Sequence, residues 1–407
     1  MKILIANWVY NWGSTGCIVR DLMMELTKLG HQVIVVTAQN RGTEDSRVYV
    51  VTTPKEWRWF WRINRLGLTS KFRGSTAVSK RLLQHVDDYK PDVVNLHLLH
   101  GNRLNLYYLL EQLGRRNTKT VVTNHAELYY TGSCGHAYDC QKWISSECRG
   151  CDDKKGATGS YIFANPHRNW RLMQRAFSFF KPENLLFTAV SPWVKVRFLQ
   201  SPIVKGFDCE VVLNGLDVNI FRPKDNFREI EKRVGTSDFV LYVTASFNPI
   251  LNYDVKGGYY LVKLAEAMPE QKFVVVASSV AHAVALPKNI YVWGKAKDQN
   301  ELAELYSAAQ LTVLVSRRET FSMVTAESLC CGTPVVGFRA GGPETIAIPD
   351  YARFVEQKDV DGLMQVIKNM QASSFDRRSI SDEARVKYSS AAMAKGYLTA
   401  YDKIIKQ

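Results

Sequence analysis

Short β-branched runs bounded by turns alternate with helical segments along the whole chain, and this alternation most narrows what the chain can fold into. A helical return leaves successive strands pointing the same way, so the pattern favours parallel sheets. A run at 2–7 leads through Gly13-Ser14-Thr15-Gly16 into a helix over 17–29 and a strand over 32–37. Further strands are expected at Val93–Leu96, 120–123, 185–190 and 210–213. The alternation breaks at Asn214-Gly215-Leu216-Asp217, followed by Phe221-Arg222-Pro223 and a charged stretch. It then restarts with strands at 239–245, 272–277, 289–293, 311–315 and 334–338. The expected fold class is therefore α/β, with two similar domains either side of about residue 215. The segment 390–405 is amphipathic, with Met393, Tyr397, Tyr401 and Ile404 at helical spacing.

The 407 residues have room for two or three domains, and 46% of them are hydrophobic, enough for real cores. No stretch approaches the ~18 unbroken apolar residues of a spanning helix. The opening Met1-Lys2-Ile3-Leu4-Ile5-Ala6-Asn7 is too short for a secretory signal and reads as the first strand of a cytosolic protein. The net charge of +14 favours anionic partners. Half of it lies in residues 51–81, where eight basic residues face Glu56 alone.

The strongest chemical signal runs from Ser316 to Val336: Ser-Arg-Arg-Glu319-Thr-Phe321-Ser322-Met323-Val-Thr-Ala-Glu327-Ser-Leu-Cys330-Cys331-Gly332-Thr-Pro-Val-Val. A buried strand ends at Val315, a loop follows, and a helix runs from about Ser322 to Cys330, with Gly332 as its stop. Ligands of doubly wound sheets sit at the carboxyl ends of strands, so Glu319 belongs in that crevice. Glu327 stands one to two turns into the helix. The backbone N–H groups of Phe321, Ser322 and Met323 form a cradle for a diphosphate. Two carboxylates beside such a cradle suit sugar and ribose hydroxyls.

Glutamate, seven residues, glutamate and then a Gly-x-Pro-Val-Val strand resembles the retaining GT-B-fold glycosyltransferases of family four, in particular members that build bacterial surface polysaccharides. Other pieces agree in order. Asn214-Gly215-Leu216-Asp217 with Phe221-Arg222-Pro223 is similar to the family's interdomain junction. Lys256-Gly257 is similar to the pair whose lysine binds the donor diphosphate, and Gly341-Gly342-Pro343-Glu344 to the Gly-Gly-x-x-Glu turn. The resemblance implies two Rossmann-like domains facing across a cleft, an acceptor-side domain over 1–213 and a nucleotide-sugar domain over 214–388. The segment 389–407 would be a helix crossing back to the first domain. It implies a retaining, metal-independent hexosyl transfer from a UDP- or GDP-sugar. Glu319 would hold the sugar, Glu327 the ribose and Lys256 the diphosphate, with Asn214 and Ser246 also on the donor side.

Two positions depart from the family pattern. The arginine usual about ten residues before the lysine is missing, where the chain reads Ala245-Ser246-Phe247-Asn248-Pro249; Arg317 and Arg318 are the nearest substitutes. The residue after the loop phenylalanine is usually glycine and is Ser322 here.

In the first half, Gly13-Ser14-Thr15-Gly16 suits an anion or a close backbone approach, and a plain β-to-α turn stays equally open. In the resemblance this loop faces the transferred sugar. His125 aligns with the family histidine beside that sugar, although Ala126 replaces the following aspartate and Glu127 comes next. His97 and His100 follow the strand at Val93–Leu96 and are acceptor-side candidates, with packing equally open.

Cysteines 134, 140, 148 and 151 cluster around His136. Four thiols at this spacing could hold a structural zinc, and free thiols remain equally open. No catalytic metal or other cofactor is expected. Cys17, Cys209, Cys330 and Cys331 read as buried thiols.

Thr53 to Leu66 reads as a helix opened by a capping box, Thr53 with Glu56, and by Pro54. Arg58, Arg62 and Arg65 form one stripe; Trp57, Phe60 and Trp61 share one face, and Trp59, Ile63 and Leu66 another. A basic, tryptophan-rich helix suits a membrane interface. The expected partners are therefore a lipid-linked glycan and the inner-membrane surface, reached through the Trp57 to Arg65 region. Nucleic acid is not expected, because no recognition module accompanies the charge. Two other readings stay open: a nucleotide-sugar epimerase or phosphorylase on the same fold, and a catalytically inactive scaffold.

Overall fold

Ile3, Leu4, Ile5 and Ala6 are wholly buried, the unbroken apolar run of a strand covered on both faces. In the computed structural model, which describes all residues except 41–43, 67–69, 100–102, 161, 226, 251–253 and 282–284, that run begins the first strand. The strands of the first sheet are β1 (Lys2–Tyr10), β2 (Gln32–Asn40), β3 (Val48–Val50), β4 (Val93–Leu96), β5 (Thr120–Asn124), β6 (Leu185–Ala189) and β7 (Asp208–Val211). They lie in the order β3-β2-β1-β4-β5-β6-β7, all parallel. The second sheet holds β8 (Phe239–Phe247), β9 (Lys272–Val280), β10 (Ile290–Gly294), β11 (Leu311–Leu314), β12 (Val335–Phe338) and β13 (Ala352–Val355). Its order is β10-β9-β8-β11-β12-β13, again all parallel.

The chain divides into two compact units, Met1–Leu213 with Met393–Gln407, and Asn214–Ala392. Each is a doubly wound α/β unit with its own switch of strand order. In the first the order reverses between β1 and β4, in the second between β8 and β11. Loops leaving the carboxyl ends of those strands border a crevice where ligands bind in such sheets.

Several boundaries differ from the sequence reading. β1 continues to Tyr10 because its pairing with β2 persists through Val9 and Tyr10. The following helix opens at Gly13, not at 17, so the Gly-Ser-Thr-Gly segment is its first turn. β7 begins at Asp208, opposite Leu186, and ends at Val211. β3 and β13 were not expected: β3 is three residues long and largely exposed, and β13 carries an exposed Arg353. Neither presents a long apolar run. Cys209, Cys330 and Cys331 are buried as expected, but Cys17 is partly exposed. It lies off the buried stripe of its helix, which runs through Gly16, Val19, Leu22, Met23 and Leu26.

The last helix, Ser390–Lys406, buries Met393, Tyr397, Tyr401 and Ile404. Asn95 donates to the Tyr401 hydroxyl at 2.7 Å, and Tyr397 donates to Thr123 Oγ1 at 3.3 Å. Lys403 pairs with Glu210 at 2.6 Å and Asp208 at 3.0 Å. The helix is thereby fastened to β4, β5 and β7 of the first unit. Among the described residues, no helix is long and apolar enough to cross a membrane.

Candidate active site

In the second unit the chain brings the expected donor residues to the switch between β8 and β11. Lys256 Nζ donates to Glu319 Oε1 at 2.6 Å. Backbone bonds hold both partners. Asp254 Oδ2 accepts from the amides of Lys256 and Gly257, and the buried Tyr242 hydroxyl donates to the Lys256 carbonyl at 2.8 Å. Gly257 has φ +75°, and a Cβ there would meet the Val315 carbonyl oxygen at 1.9 Å. The lysine loop therefore rests directly on the end of β11, and only glycine permits it. The Arg317 amide donates to the Val255 carbonyl at 2.8 Å, joining the two loops again.

Glu319 is held from the other side by the Gly341-Gly342 turn. Its amide donates to the Ala340 carbonyl, and its carbonyl accepts from Gly342. A Cβ on Gly342 would lie 2.4 Å from the Thr320 carbonyl. Glu344 accepts from the Ala340 and Gly341 amides at about 3 Å, which fixes the turn. Glu344 is thus a brace for the Glu319 backbone.

Ser322 has φ +81°, in the left-handed region that favours glycine. Its hydroxyl accepts from the Thr325 amide at 3.2 Å and from the Thr325 hydroxyl at 3.0 Å, capping the Met323–Cys330 helix. The cap serves the third helical amide. Met323 begins the helix, so its amide and those of Phe321 and Ser322 lie outside the helix's own ladder. Glu327 accepts from the buried Tyr306 hydroxyl at 2.9 Å. Burial pushes its carboxyl up to about 7, against the opposing effect of that hydrogen bond. Ser246 is exposed near the carboxyl end of β8, its amide donating to Thr244 Oγ1. Asn214 is buried at the first residue of the unit, and its Oδ1 has no hydrogen-bond partner among the described residues.

In the first unit the helix that opens at Gly13 has no side-chain cap, since Trp12 stands at the cap position. Its first-turn amides at Gly13, Ser14 and Thr15 are therefore left to another acceptor. A Cβ on Gly16 would press on Val9 at 3.2 Å, so this glycine serves close approach of the helix to β1. His97 follows β4 and His125 follows β5, and their rings meet: His97 Nδ1 lies 2.8 Å from His125 Nε2, so one of the two nitrogens donates. Burial holds His125 down to about 4 and His97 well below its ordinary value, so both are neutral imidazoles. His97 Nε2 is buried without a hydrogen-bond partner among the described residues. The Tyr129 hydroxyl donates to the His97 carbonyl at 2.6 Å. His100 lies outside the described residues.

Glu127 is wholly buried. It accepts from Arg197 Nε at 2.5 Å and from the Ala137 amide at 2.7 Å. Arg197 lies between the Trp143 and Trp193 rings, 5.2 and 5.0 Å from their centroids. This ion pair anchors the segment that carries the four clustered cysteines. All four are free thiols; burial pushes Cys134 and Cys148 up to about 12 and raises Cys151. Among the described residues no three His, Cys, Asp or Glu side chains are gathered to hold a metal ion.

The Pro54–Arg65 helix has the expected capping box, and Glu56 also pairs with Arg81 at 2.7 Å. Phe60 is buried, while Trp59 and Trp61 are 61% and 56% exposed. The two proposed apolar faces therefore divide differently: Trp61 points outward with Trp59, and Trp57 packs on Arg103 at 3.1 Å.

Sequence reasoning passed over Asp254, Tyr242, Tyr306 and Glu344 as supports of the expected donor residues. Asp254 had a local signal, an Asp two residues before the lysine, suited to an Asx turn. The tyrosines had none, because they come from distant segments.

Two family models match the chain, Glycosyltransferase Family 4 over residues 17–220 and Glycosyl transferases group 1 over residues 254–387. A D-inositol 3-phosphate glycosyltransferase of Segniliparus rotundus is 26% identical over 216 residues, covering 47% of this chain and 46% of the relative. The chain thus spans about half the length of the curated relatives it matches. Among solved structures, sucrose-phosphate synthase from Thermosynechococcus elongatus has a TM-score of 0.66 at 16% identity, covering 100% of this chain and 99% of that one. Anabaena HepE in complex with UDP and glucose also has a TM-score of 0.66, at 14% identity with 99% of both chains covered. These likenesses establish the α/β GT-B fold. Since the first family model spans half of the sequence and the second a further third, the chain belongs to glycosyltransferase family 4.

Proposed function

We propose that this chain is a retaining glycosyltransferase that moves a sugar from a UDP- or GDP-sugar to a hydroxyl of a lipid-linked oligosaccharide. The setting is surface-polysaccharide assembly at the cytoplasmic face of the inner membrane. The observation that carries the reading is the Lys256–Glu319 pair at the strand switch of the second unit, beside the uncapped amides of Phe321, Ser322 and Met323. An incoming diphosphate competes with Glu319 for Lys256 and takes the amides, which frees Glu319 for sugar hydroxyls. Glu327 accepts from the ribose. In the first unit, neutral His125 offers a hydrogen bond to the transferred sugar, and His97 orients its ring. The amides of Gly13-Ser14-Thr15-Gly16 add positive potential for the developing charge. The leaving phosphate takes the acceptor proton, so the reading invokes no catalytic metal. The UDP and glucose in the HepE complex support a nucleotide-sugar donor.

Membrane association is supported by the exposed Trp59 and Trp61 beside the exposed Arg58, Arg62 and Arg65. Replacing the three arginines by glutamine is expected to reduce co-sedimentation with anionic vesicles; unchanged co-sedimentation would remove this part. A structural zinc at Cys134, Cys140, Cys148 and Cys151 would require their thiols to ionise together, and metal analysis of protein purified without added zinc reads it directly.

The central test is a thermal-shift panel of UDP- and GDP-sugars, followed by donor turnover. One nucleotide sugar is expected to raise Tm, because it binds only the folded state. Glu319→Gln is expected to lower turnover by about 100-fold. A variant indistinguishable from the parent would favour an inactive scaffold, and turnover supported by phosphate alone a phosphorylase.

A further inference from the structure

The first unit contains a cavity of about 400 Å³ that the donor reading does not use. Trp8 of β1, Trp61 of the Pro54–Arg65 helix, Lys71, Arg103, Leu128 and Ser133 contribute to its wall. No Asp or Glu is among its described lining residues. Two half-buried cations therefore share one space with no carboxylate in its described lining.

Their hydrogen-bond and ring partners are neutral, and the charge of Asp153 offsets only part of the effect of burial on Lys71. Lys71 Nζ donates to the Gly156 carbonyl at 2.6 Å, and burial lowers its pKa. The Arg103 guanidinium lies 3.1 Å from the Trp57 ring centroid and 5.2 Å from that of Trp8. Its Nη1 is buried without a hydrogen-bond partner among the described residues, and burial brings the group down to about 10. Ser133 is 1% exposed, and its Oγ also lacks a partner among them. Buried donors without acceptors are costly; an anion would satisfy Arg103 Nη1 and Ser133 Oγ and bring Lys71 an opposite charge.

The rest of the wall is apolar. Trp8, Phe60, Phe72 and Leu128 are buried, and the half-exposed Trp61 stands at the edge. Beyond the lining Gly159, Ile162 and Phe163 are exposed. A small inorganic anion would leave these aromatic surfaces unused. Two lining residues are linked along the chain to the acceptor-side histidine candidates: Leu128 is three residues after His125, and the Trp8 amide donates at 3.2 Å to the carbonyl of Leu98, the residue after His97.

We propose that this cavity is the acceptor's anchoring site, and that it takes a phosphate or diphosphate ester of an apolar, prenyl-type chain. Lys71, Arg103 and Ser133 hold the phosphate oxygens, and the indoles of Trp8 and Trp61 pack on the first apolar units. The assignment rests on the lipid-linked acceptor reading and places its charged head.

The test is calorimetric titration of the full chain with farnesyl diphosphate below its micelle concentration, beside inorganic pyrophosphate, farnesol and a hexose phosphate. Farnesyl diphosphate is expected to bind at least about tenfold more tightly than each of the other three. Lys71→Met and Arg103→Gln are each expected to weaken it by about tenfold, and Ser133→Ala by about threefold. The Tm shift with the nucleotide sugar should stay at the parent value in all three, which shows that they fold. Unchanged farnesyl diphosphate affinity in folded Lys71→Met and Arg103→Gln overturns the proposal, as does tighter binding of pyrophosphate or hexose phosphate. A parent that binds nucleotide sugar but not farnesyl diphosphate fails this proposal alone. One that binds farnesyl diphosphate but no nucleotide sugar fails the transferase reading alone.

Discussion

Glu327 sits where its charge is held back by burial. A carboxyl raised from 4.5 to about 7 keeps its proton in the folded chain at pH values where the unfolded chain has lost it. Its contribution to stability is therefore largest at acid pH, and falls as pH rises from about 4.5 to 7. A ribose hydroxyl donates best to the ionised form, so affinity for a nucleotide sugar is expected to rise between pH 6 and 8. Glu327→Gln should flatten that slope in calorimetric titrations; parallel profiles would remove Glu327 from the ribose. Ser322 shows a different compromise. Its left-handed backbone costs about 1 kcal/mol, and its cap on Thr325 returns about the same. Ser322→Gly should leave Tm within about 2 °C, whereas Ser322→Ala keeps the strain, loses the cap and should cost about 1 kcal/mol. The departure from glycine is plain in the sequence. That the hydroxyl compensates for it depends on a dihedral angle that no sequence pattern states.

At the scale of elements, function depends on loops pressed against strand ends. Gly257→Ala puts a Cβ 1.9 Å from the Val315 carbonyl oxygen in a left-handed conformation. It is expected to cost about 2 kcal/mol or more and to abolish the donor-induced Tm shift, because Lys256 moves with the loop. The 127–137 segment depends on one buried ion pair. Arg197→Met leaves Glu127 buried without its partner and is expected to cost about 3–5 kcal/mol. The double variant with Glu127→Gln should regain part of that loss in a thermal melt. The capping box of the Pro54–Arg65 helix was readable, since Thr53, Pro54 and Glu56 act over three residues. Which tryptophan faces outward was not, because that depends on what the helix packs against. β13 was missed for the same reason: its pairing with β12 is tertiary, and its own four residues carry no distinctive pattern.

For the whole molecule, the last helix matters most. It follows the second unit in sequence and packs in the first, with Tyr397 and Tyr401 buried against the polar set Asn95, Thr123 and Thr188. Tyr401→Ala is expected to cost roughly 3–5 kcal/mol, read in a melt of the full chain. The sequence by itself determined what depends on near neighbours: the repeated strand–helix alternation, the Glu319 to Glu327 spacing on one loop and helix, and the amphipathic stripe of the final segment. The tertiary structure alone decided which distant residues meet. Lys256 touches Glu319 across 63 positions, and His97 meets His125 across 28. Lys71, Arg103 and Ser133 likewise line one cavity, with no carboxylate among its described lining residues. The physical reason is that strand order sets these encounters. Parallel pairing brings the carboxyl ends of strands together wherever their neighbours place them, and local residue preference carries no record of that order.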